Sequence, residues 1–293
     1  MLMSDNGFED VKILNNFYQT SSFFPMPVVL VSTVAESGQT NLGPYSLCFP
    51  YRIAGEQTQA MKLITRSNSN TAINIQRTGI CAINFIEDDK KYLENCVVLG
   101  FPGETTEEKM MNSIFTLIPS TRLNGEMNPN IKYPEIVKEA FQIYECKVDS
   151  NHPIEVDEDT GECHMVLRIE KIILKKKWKQ ALIEGKGFPR VPVDYGFRNN
   201  AYFWFSKHSK PYKVPIPESK AVDISSIKFA VERIDPEIIW TDEACEKIVK
   251  VPRVFLSQVI RGVNDKAREK GITEITADFM DEVRDKRSDE KGK

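Results

Sequence analysis

Apolar and β-branched residues come in short runs along most of this chain, separated by polar loops. PVVLVSTV (27–34), MKLIT (61–65) and ICAINFI (80–86) are the clearest, each short enough and rich enough in Val and Ile to predict a strand. The same pattern of short strands with Gly, Asn and Pro turns runs to about Phe205, with helical stretches predicted at Glu104 to Ser113 and Tyr133 to Glu139. KPYKVPIPESK (210–220) carries three prolines in a short polar stretch and reads as an extended linker or a wrapping segment. After Asp235 the spacing of apolar residues becomes helical, and the charged end RDKRSDEKGK is predicted to fray. These shifts divide the chain into a strand-rich domain at 1–215, a linker at 216–235 and a small helical domain at 236–293. At 293 residues it is long enough for one domain of about 200 residues and a second, smaller one.

Two of the polar loops have an unusual composition. NLGPYSLCF (41–49) places Gly43 and Pro44 inside a predicted strand, where both interrupt the ladder and let backbone approach a ligand closely. An ordinary bulged strand accounts for these residues equally well. RSNSNTAINIQRTG (66–79) sets hydroxyl and amide side chains immediately before a short helix, with Ile73 predicted to point inward and Gly79 placed as a left-handed stop. A helix N-terminus offers free N–H groups and a positive dipole end, and Arg66 adds a permanent charge that pairs with phosphate oxygens. The residues alone leave a second reading open, in which Ser69 or Asn70 only caps the helix and Arg66 is solvated. Arg, hydroxyls and amides between β-branched strands suit a planar cofactor bearing a phosphate.

Ser32, Thr33, Gly38 and Asn41-Leu42-Gly43-Pro44-Tyr45-Ser46, followed by Arg66, Thr71 and Asn74-Ile75, resemble the flavin reductase-like family. The resemblance implies a mainly β (α+β) fold, the FMN-binding split β-barrel, with the small helical domain appended as three helices. It implies FMN as cofactor and NAD(P)H as electron donor, with hydride passing to flavin N5 and onward to a small-molecule or protein acceptor. The implied cofactor-binding residues in the first loop region are Ser32, Thr33, Asn41, Pro44, Tyr45 and Ser46, continuing through Leu47, Cys48 and Phe49. Those in the second are Thr65, Arg66, Ser67, Asn68, Ser69 and Asn70, with Thr71 and Asn74 on the helix. A homodimer with the flavin near its two-fold contact, and closure of one pocket by the partner's tail or its 119–134 loop, are implied too. The chain departs from the family pattern after Tyr45-Ser46, where Cys48-Phe49-Pro50-Tyr51-Arg52 leads into AGEQTQA without a proline pair, so the ring edge or the nicotinamide approach is expected to be remodelled. His152 is the one candidate catalytic side chain, against the alternative of a solvated turn histidine.

The remaining features narrow the classes. A net charge of −3 and a pI near 5.8 argue against nucleic-acid or membrane-surface partners recruited by bulk charge. Residues 1–12 carry acidic groups where an export signal needs basic ones, and no apolar run approaches the ~20 residues that cross a bilayer. Cys48, Cys81, Cys96, Cys146, Cys163 and Cys245 contain no C-x-x-C pair and fit reduced thiols in a cytoplasm. His152, His164 and His208 have no metal-ligand spacing, so no metal is expected. KKKWK (175–179) reads as a solvated strand end, GKGFPR (185–190) lacks the context of a dinucleotide fingerprint, and Tyr202 to Phe205 read as an aromatic barrel edge or subunit contact, with flavin stacking as the alternative. In the helical domain, Trp240-Thr241, Glu243-Ala244, Val251-Pro252, Arg261-Gly262-Val263, Ala267-Arg268, Gly271 and Ile275-Thr276 resemble the small C-terminal domain of the light-independent protochlorophyllide reductase B subunit. Thr241 and Thr276 read as helix caps, and Phe255, Val259, Val263 and Ala267 as one apolar face. That resemblance implies redox company and no catalytic set of its own.

Overall fold

The computed structural model describes residues 7–291 apart from 56, 123–131, 200, 208, 213 and 215–223. His208, most of the 119–134 loop and much of the proline-rich segment therefore lie outside the described residues. The chain divides into two units, Met1–Trp178 with Pro189–Lys210, and Lys179–Phe188 with Pro211–Lys293.

In the first unit the helices are α1 (Phe17–Thr20), α2 (Asn70–Thr78), α3 (Lys90–Leu99) and α4 (Thr106–Met111); α5 (Lys176–Glu184) runs across the boundary. The strands are β1 (Met26–Pro27), β2 (Val29–Val34), β3 (Thr40–Tyr45), β4 (Cys48–Arg52), β5 (Ala60–Arg66) and β6 (Ile80–Phe85). They continue with β7 (Leu117–Ile118), β8 (Ile136–Val137), β9 (Gln142–Val148), β10 (Glu155–Val156), β11 (Glu162–Leu174), β12 (Val193–Asn199) and β13 (Tyr202–Ser206). The main sheet is antiparallel in the order β3-β2-β6-β9-β11-β5-β4, with β10 beside β11, and β1-β12-β13 form a separate sheet.

That order forces the sheet to curl. β3 and β4 lie at opposite ends of it, yet only Ser46 and Leu47 separate them in sequence. So short a connection spans roughly 10 Å even when extended, and the two edges must come round to meet. No ladder pairs β3 with β4; the connection is fixed instead to β5, where Leu47 O accepts from Ile64 N at 3.0 Å, and turns on Cys48 N donating to Ser46 O at 2.9 Å. The result is a barrel split along one seam, mixed α and β overall.

The two faces of the sheet fill two cores. Val29, Val31, Leu63, Ile83, Met165 and Leu167 point into the barrel at alternate positions. Leu30, Leu42 and Ala82 point outward and are covered by Cys96 and Leu99 of α3 and by Phe115 and Val137. β2 is buried throughout for this reason, which explains its unbroken apolar run. Cys48, Cys81, Cys146 and Cys163 join the barrel interior, and all six thiols are free and buried. Burial pushes the Cys48 and Cys146 thiols up and Cys96 up to about 12, so they act as small apolar side chains. The buried Glu145 of β9 accepts from Ser120 Oγ at 2.6 Å and Thr121 N at 3.0 Å, which ties the segment after β7 to the sheet.

Three local expectations are corrected. The stretch from Tyr133 to Glu139 is no helix: Ile136 and Val137 pair with Ile118 and Leu117, and Val137 N donates to the buried Asn84 Oδ1 at 2.9 Å. KKKWK is not a strand end, because β11 stops at Leu174 and α5 begins at Lys176. Ile73 points outward, 52% exposed, since α2 buries Ala72 and Ile75 instead.

The second unit holds α6 (Ser225–Ile234), α7 (Asp242–Ile248), α8 (Arg253–Glu269) and α9 (Ala277–Lys291), with β14 (Ile239–Trp240) and β15 (Glu274–Ile275) pairing in parallel. α6 falls in the stretch read as a linker, yet its Ile227 and Val231 are core residues and it joins the three expected helices. Thr241 caps α7 by accepting from Ala244 N at 3.3 Å, and Thr276 accepts from Phe279 N at 3.3 Å. On α8 the buried residues are Leu256, Ile260, Val263 and Ala267. Phe255 is 40% exposed, because a strict four-residue step overshoots each 3.6-residue turn and drifts off the core face. Among the described residues no helix is long and apolar enough to cross a membrane.

Candidate functional site

The site begins where β5 ends. Arg66 is the last residue of β5, its carbonyl accepts from Ser69 N at 3.0 Å, and Ser69 Oγ caps α2 by accepting from Ala72 N at 3.1 Å. The turn is thus closed by its own side chains, with the first N–H groups of α2 presented beside the Arg66 guanidinium. Gly79, at φ 71°, stops the helix as the sequence predicts.

Behind this turn lies a buried polar network. Asn74 Nδ2 donates to Thr33 Oγ1 at 3.1 Å, Asn41 Nδ2 lies 3.4 Å from Thr71 Oγ1, and Thr106 Oγ1 lies 3.5 Å from Asn41 Oδ1. It joins α2, β2, β3 and α4, so the N-terminus of α2 is held by side chains that are themselves satisfied. β3 must pass very close to α2 for this. A Cβ on Gly43 would stand 2.5 Å from Thr71 Oγ1 and 2.8 Å from Tyr45 Cε2, closer than a side chain tolerates. Tyr45 lies over that gap, its hydroxyl donating to Ser69 Oγ at 3.4 Å, and burial raises its phenol.

Two cavities open on the far side of Tyr45. The larger, about 590 Å³, is walled by Pro44, Tyr45, Ser46 and Arg66, by Val97 and Phe101 at the end of α3, and by Tyr202, Phe203 and Phe205 of β13. The smaller, about 260 Å³, adjoins it through Pro44, Tyr45, Arg66 and Phe101 and adds Asn68, Ser69, Asn70, Glu104 and Lys109. One end is therefore aromatic and the other cationic. Burial lowers the Lys109 ammonium, Glu104 raises it and Arg66 lowers it further. Glu104 Oε2 is buried without a hydrogen-bond partner. Arg66, Lys109 and roughly half a charge from the α2 dipole outweigh the Glu104 carboxylate by about +1.5, enough to draw an anion to this end.

Pro44, Tyr45, Ser46, Arg66, Asn68, Ser69 and Asn70 are thus brought together around the two cavities. Ser32, Thr33, Asn41, Thr65, Thr71 and Asn74 are buried and line none of them; they hold the wall from behind. Ser67 is fixed by its N–H to Gly161 O at 2.8 Å. Leu47 and Phe49 line a different cavity, about 360 Å³, with Phe17, Tyr18, Phe24 and Ile64. Cys48 faces the barrel interior, where its thiol meets other buried side chains. His152 stands apart from all three cavities, its Nδ1 3.2 Å from Asp149 Oδ2 and its ring edge-on to Tyr51. The Asn151 N–H first, and then His152, hold the Asp149 carboxyl below its usual range.

Sequence reasoning did not find Lys109, Glu104, Phe101, Tyr18 or Asp194 as wall residues. The helix expected at Glu104 to Ser113 already contains Lys109, and the capping box of Thr105 with Glu108 is readable in T-T-E-E, but neither signal says that Lys109 faces a cavity. Among the described residues no cluster of three or more His, Cys, Asp or Glu has the makings of a metal site.

No protein-family model matches the chain, and no curated protein matches it in sequence. Solved structures do. The 2-nitrobenzoate 2-nitroreductase NbaA of Pseudomonas fluorescens is 18% identical with a TM-score of 0.51, over 74% of this chain and 97% of that one. Flavoredoxin from Methanosarcina acetivorans is 18% identical with a TM-score of 0.50, over 73% of this chain and 99% of that one. At such identity the likeness is one of fold, and the fold is the split barrel of flavin reductase-like proteins.

The contact at Gly43 predicts the effect of filling it. Gly43→Ala forces Thr71 or Tyr45 aside, and the expected cost is about 1–3 kcal/mol of stability. Chemical denaturation followed by tryptophan fluorescence measures it, and a midpoint equal to the parent's shows that the wall yields freely.

Proposed function

We propose that this chain is an FMN-binding flavoprotein, an NAD(P)H-dependent flavin or ferric-type reductase that passes electrons from nicotinamide through FMN to an acceptor. One observation carries the reading: Arg66, Lys109 and the N-terminus of α2 line a small cavity that adjoins, at Pro44, Tyr45, Arg66 and Phe101, a larger one walled by aromatic side chains. The residues present fit the group. Arg66 would grip phosphate oxygens with its planar fork, Lys109 would add a point charge, and the first N–H groups of α2 would complete the seat. Pro44, Tyr45 and Ser46 would lie along the ring, which has about 590 Å³ available, an ordinary volume for a ligand of that size. The absence of an adenine-binding signature favours FMN over FAD. Bound flavin supplies the redox chemistry, accepting a hydride from nicotinamide and returning electrons to an acceptor. The protein's share is to hold the phosphate, press the ring against Tyr45 and exclude water with Phe101, Tyr202 and Phe203.

A second reading is an electron relay without turnover of its own, docking a redox partner through the helical unit. Exposed apolar side chains there, Phe229 at 65% and Phe255 at 40%, favour it, as does the resemblance of that unit to the protochlorophyllide reductase module. The spectrum of the purified protein before and after anaerobic NAD(P)H separates the two: bleaching of bound flavin, followed by steady NAD(P)H oxidation once ferricyanide is added as acceptor, supports the reductase, and flavin that stays oxidised supports the relay. The buried free thiols favour a reducing, cytoplasmic setting.

Three expected outcomes follow from the phosphate seat and the aromatic edges. Arg66→Ala should cost about 1.5–3 kcal/mol of FMN affinity, the range for hydrogen bonds to charged groups, with little change in stability. An unchanged dissociation constant returns Arg66 to a solvated role. FMN affinity should also fall as pH rises through the lowered Lys109 value, because the phosphate needs the ammonium. Lys109→Arg should remove that fall in a flavin-fluorescence titration; a fall that persists in the variant assigns it elsewhere. Finally, exposed Tyr202 and Trp204, and Phe49 and Tyr51 on the edge strand β4, support a homodimer with the site near its contact. Light scattering at micromolar concentration should give twice the chain mass, and a strict monomer that binds FMN tightly contradicts it.

A further inference from the structure

Asp194 is a buried carboxyl in the wall of the larger cavity that nothing in the phosphate seat uses. It is 8% exposed, on β12, opposite Phe205 of β13 and Met26 of β1. The β12–β13 register shifts immediately after it, and Gly196 takes φ 72° with Gln19 lying across it. Bulges of this kind re-aim a side chain, and here the Gly196 N–H turns back to donate to Asp194 Oδ1 at 2.6 Å. The Ser46 hydroxyl lines the same cavity and, with the Gly196 N–H, opposes the effect of burial on this carboxyl. Asp194 thus lines the same cavity as Tyr45, Tyr202 and Phe203, where a planar acceptor would stack on the exposed face of a flavin ring held along Tyr45.

The groups facing it are few. Tyr18 from α1 is near enough that, after burial, the Asp194 charge raises its phenol, with Glu162 adding to the effect. Arg66 of β5 lines the same cavity, and the Cys96 thiol of α3 titrates only near 12. Burial raises the Asp194 carboxyl, with Gly196 and Ser46 opposing. A carboxyl raised in this way keeps its proton at pH values where an ordinary aspartate has lost it, yet has the Gly196 N–H ready to hold the carboxylate once the proton leaves.

We propose that Asp194 delivers the proton that a two-electron organic acceptor needs when it is reduced in this cavity. The proposal rests on the redox reading above. Bound flavin would supply the hydride, its electron pair drawn from NAD(P)H, and the acceptor so reduced would carry negative charge on its heteroatom. That atom takes the proton from Asp194: the carboxyl O–H bond breaks, the acceptor O–H or N–H bond forms, and the carboxylate stays held by the Gly196 N–H. Water at the cavity mouth returns a proton to Asp194.

The test compares two acceptors on the flavin-loaded protein, menadione, which needs protons, and ferricyanide, which takes single electrons and needs none. In Asp194→Asn the ratio of menadione to ferricyanide rates should fall on the order of 10²-fold, the usual share of a general acid, and Asp194→Glu should restore most of it. Infrared titration of the flavin-free protein supplies a readout apart from turnover: a protonated-carboxyl band persisting above the ordinary aspartate range and missing in Asp194→Asn. A ratio equal to the parent's in Asp194→Asn, or no such band, overturns the assignment while leaving the redox reading in place. A parent protein that takes up no flavin and reduces neither acceptor overturns the redox reading and this assignment with it.

Discussion

The close passage of β3 over the start of α2 is the constraint on which the site depends. Because residue 43 has no side chain, the strand comes near enough for Asn41 to reach Thr71 and for Tyr45 to reach Ser69. The network from Thr33 through Asn74 then fixes the helix at its own N-terminus, so its free N–H groups have one orientation. A site built this way is rigid without a disulfide or a metal. The split seam serves the same end, since only Ser46 and Leu47 lie between Tyr45 at the cavity and Cys48 in the barrel core.

Opposite polarities at the two ends give the cleft a direction. Arg66 and Lys109 outweigh Glu104 at the small end, while Asp194 is the buried acid of the aromatic end. A ligand with an anionic tail and a flat head has one favourable way to enter. Charge at the tail fixes register, and the aromatic walls, with more area to bury, supply the apolar contact. His152 lines neither end, and its Nδ1 lies 3.2 Å from Asp149 Oδ2.

What the sequence made legible was local chemistry. Ser69 and Gly79 cap one helix, so their places follow from spacing, and β2 and β6 follow from composition. Ile73 misled because two apolar residues, Ala72 and Ile75, flank it on a helix short enough for either face to look buried. Tyr133 to Glu139 misled because Ile136 and Val137 find strand partners that only the fold supplies. α3 was legible and overlooked: Leu93, Cys96 and Leu99 recur every third residue behind Asp89, which caps it. Lys109 and Asp194 reach the cavities from distant segments, α4 and a bulge in β12, and no periodicity along the chain encodes that meeting.

The central claim is that the cationic end of the cleft holds a phosphate on a flavin. Titrating the flavin-free protein with FMN and with riboflavin, which carries the same ring without the phosphate, tests it most directly. Two charge-assisted hydrogen bonds at that end predict FMN binding at least ~10²-fold tighter than riboflavin. Equal affinities for the two, or no uptake of either, would contradict the account.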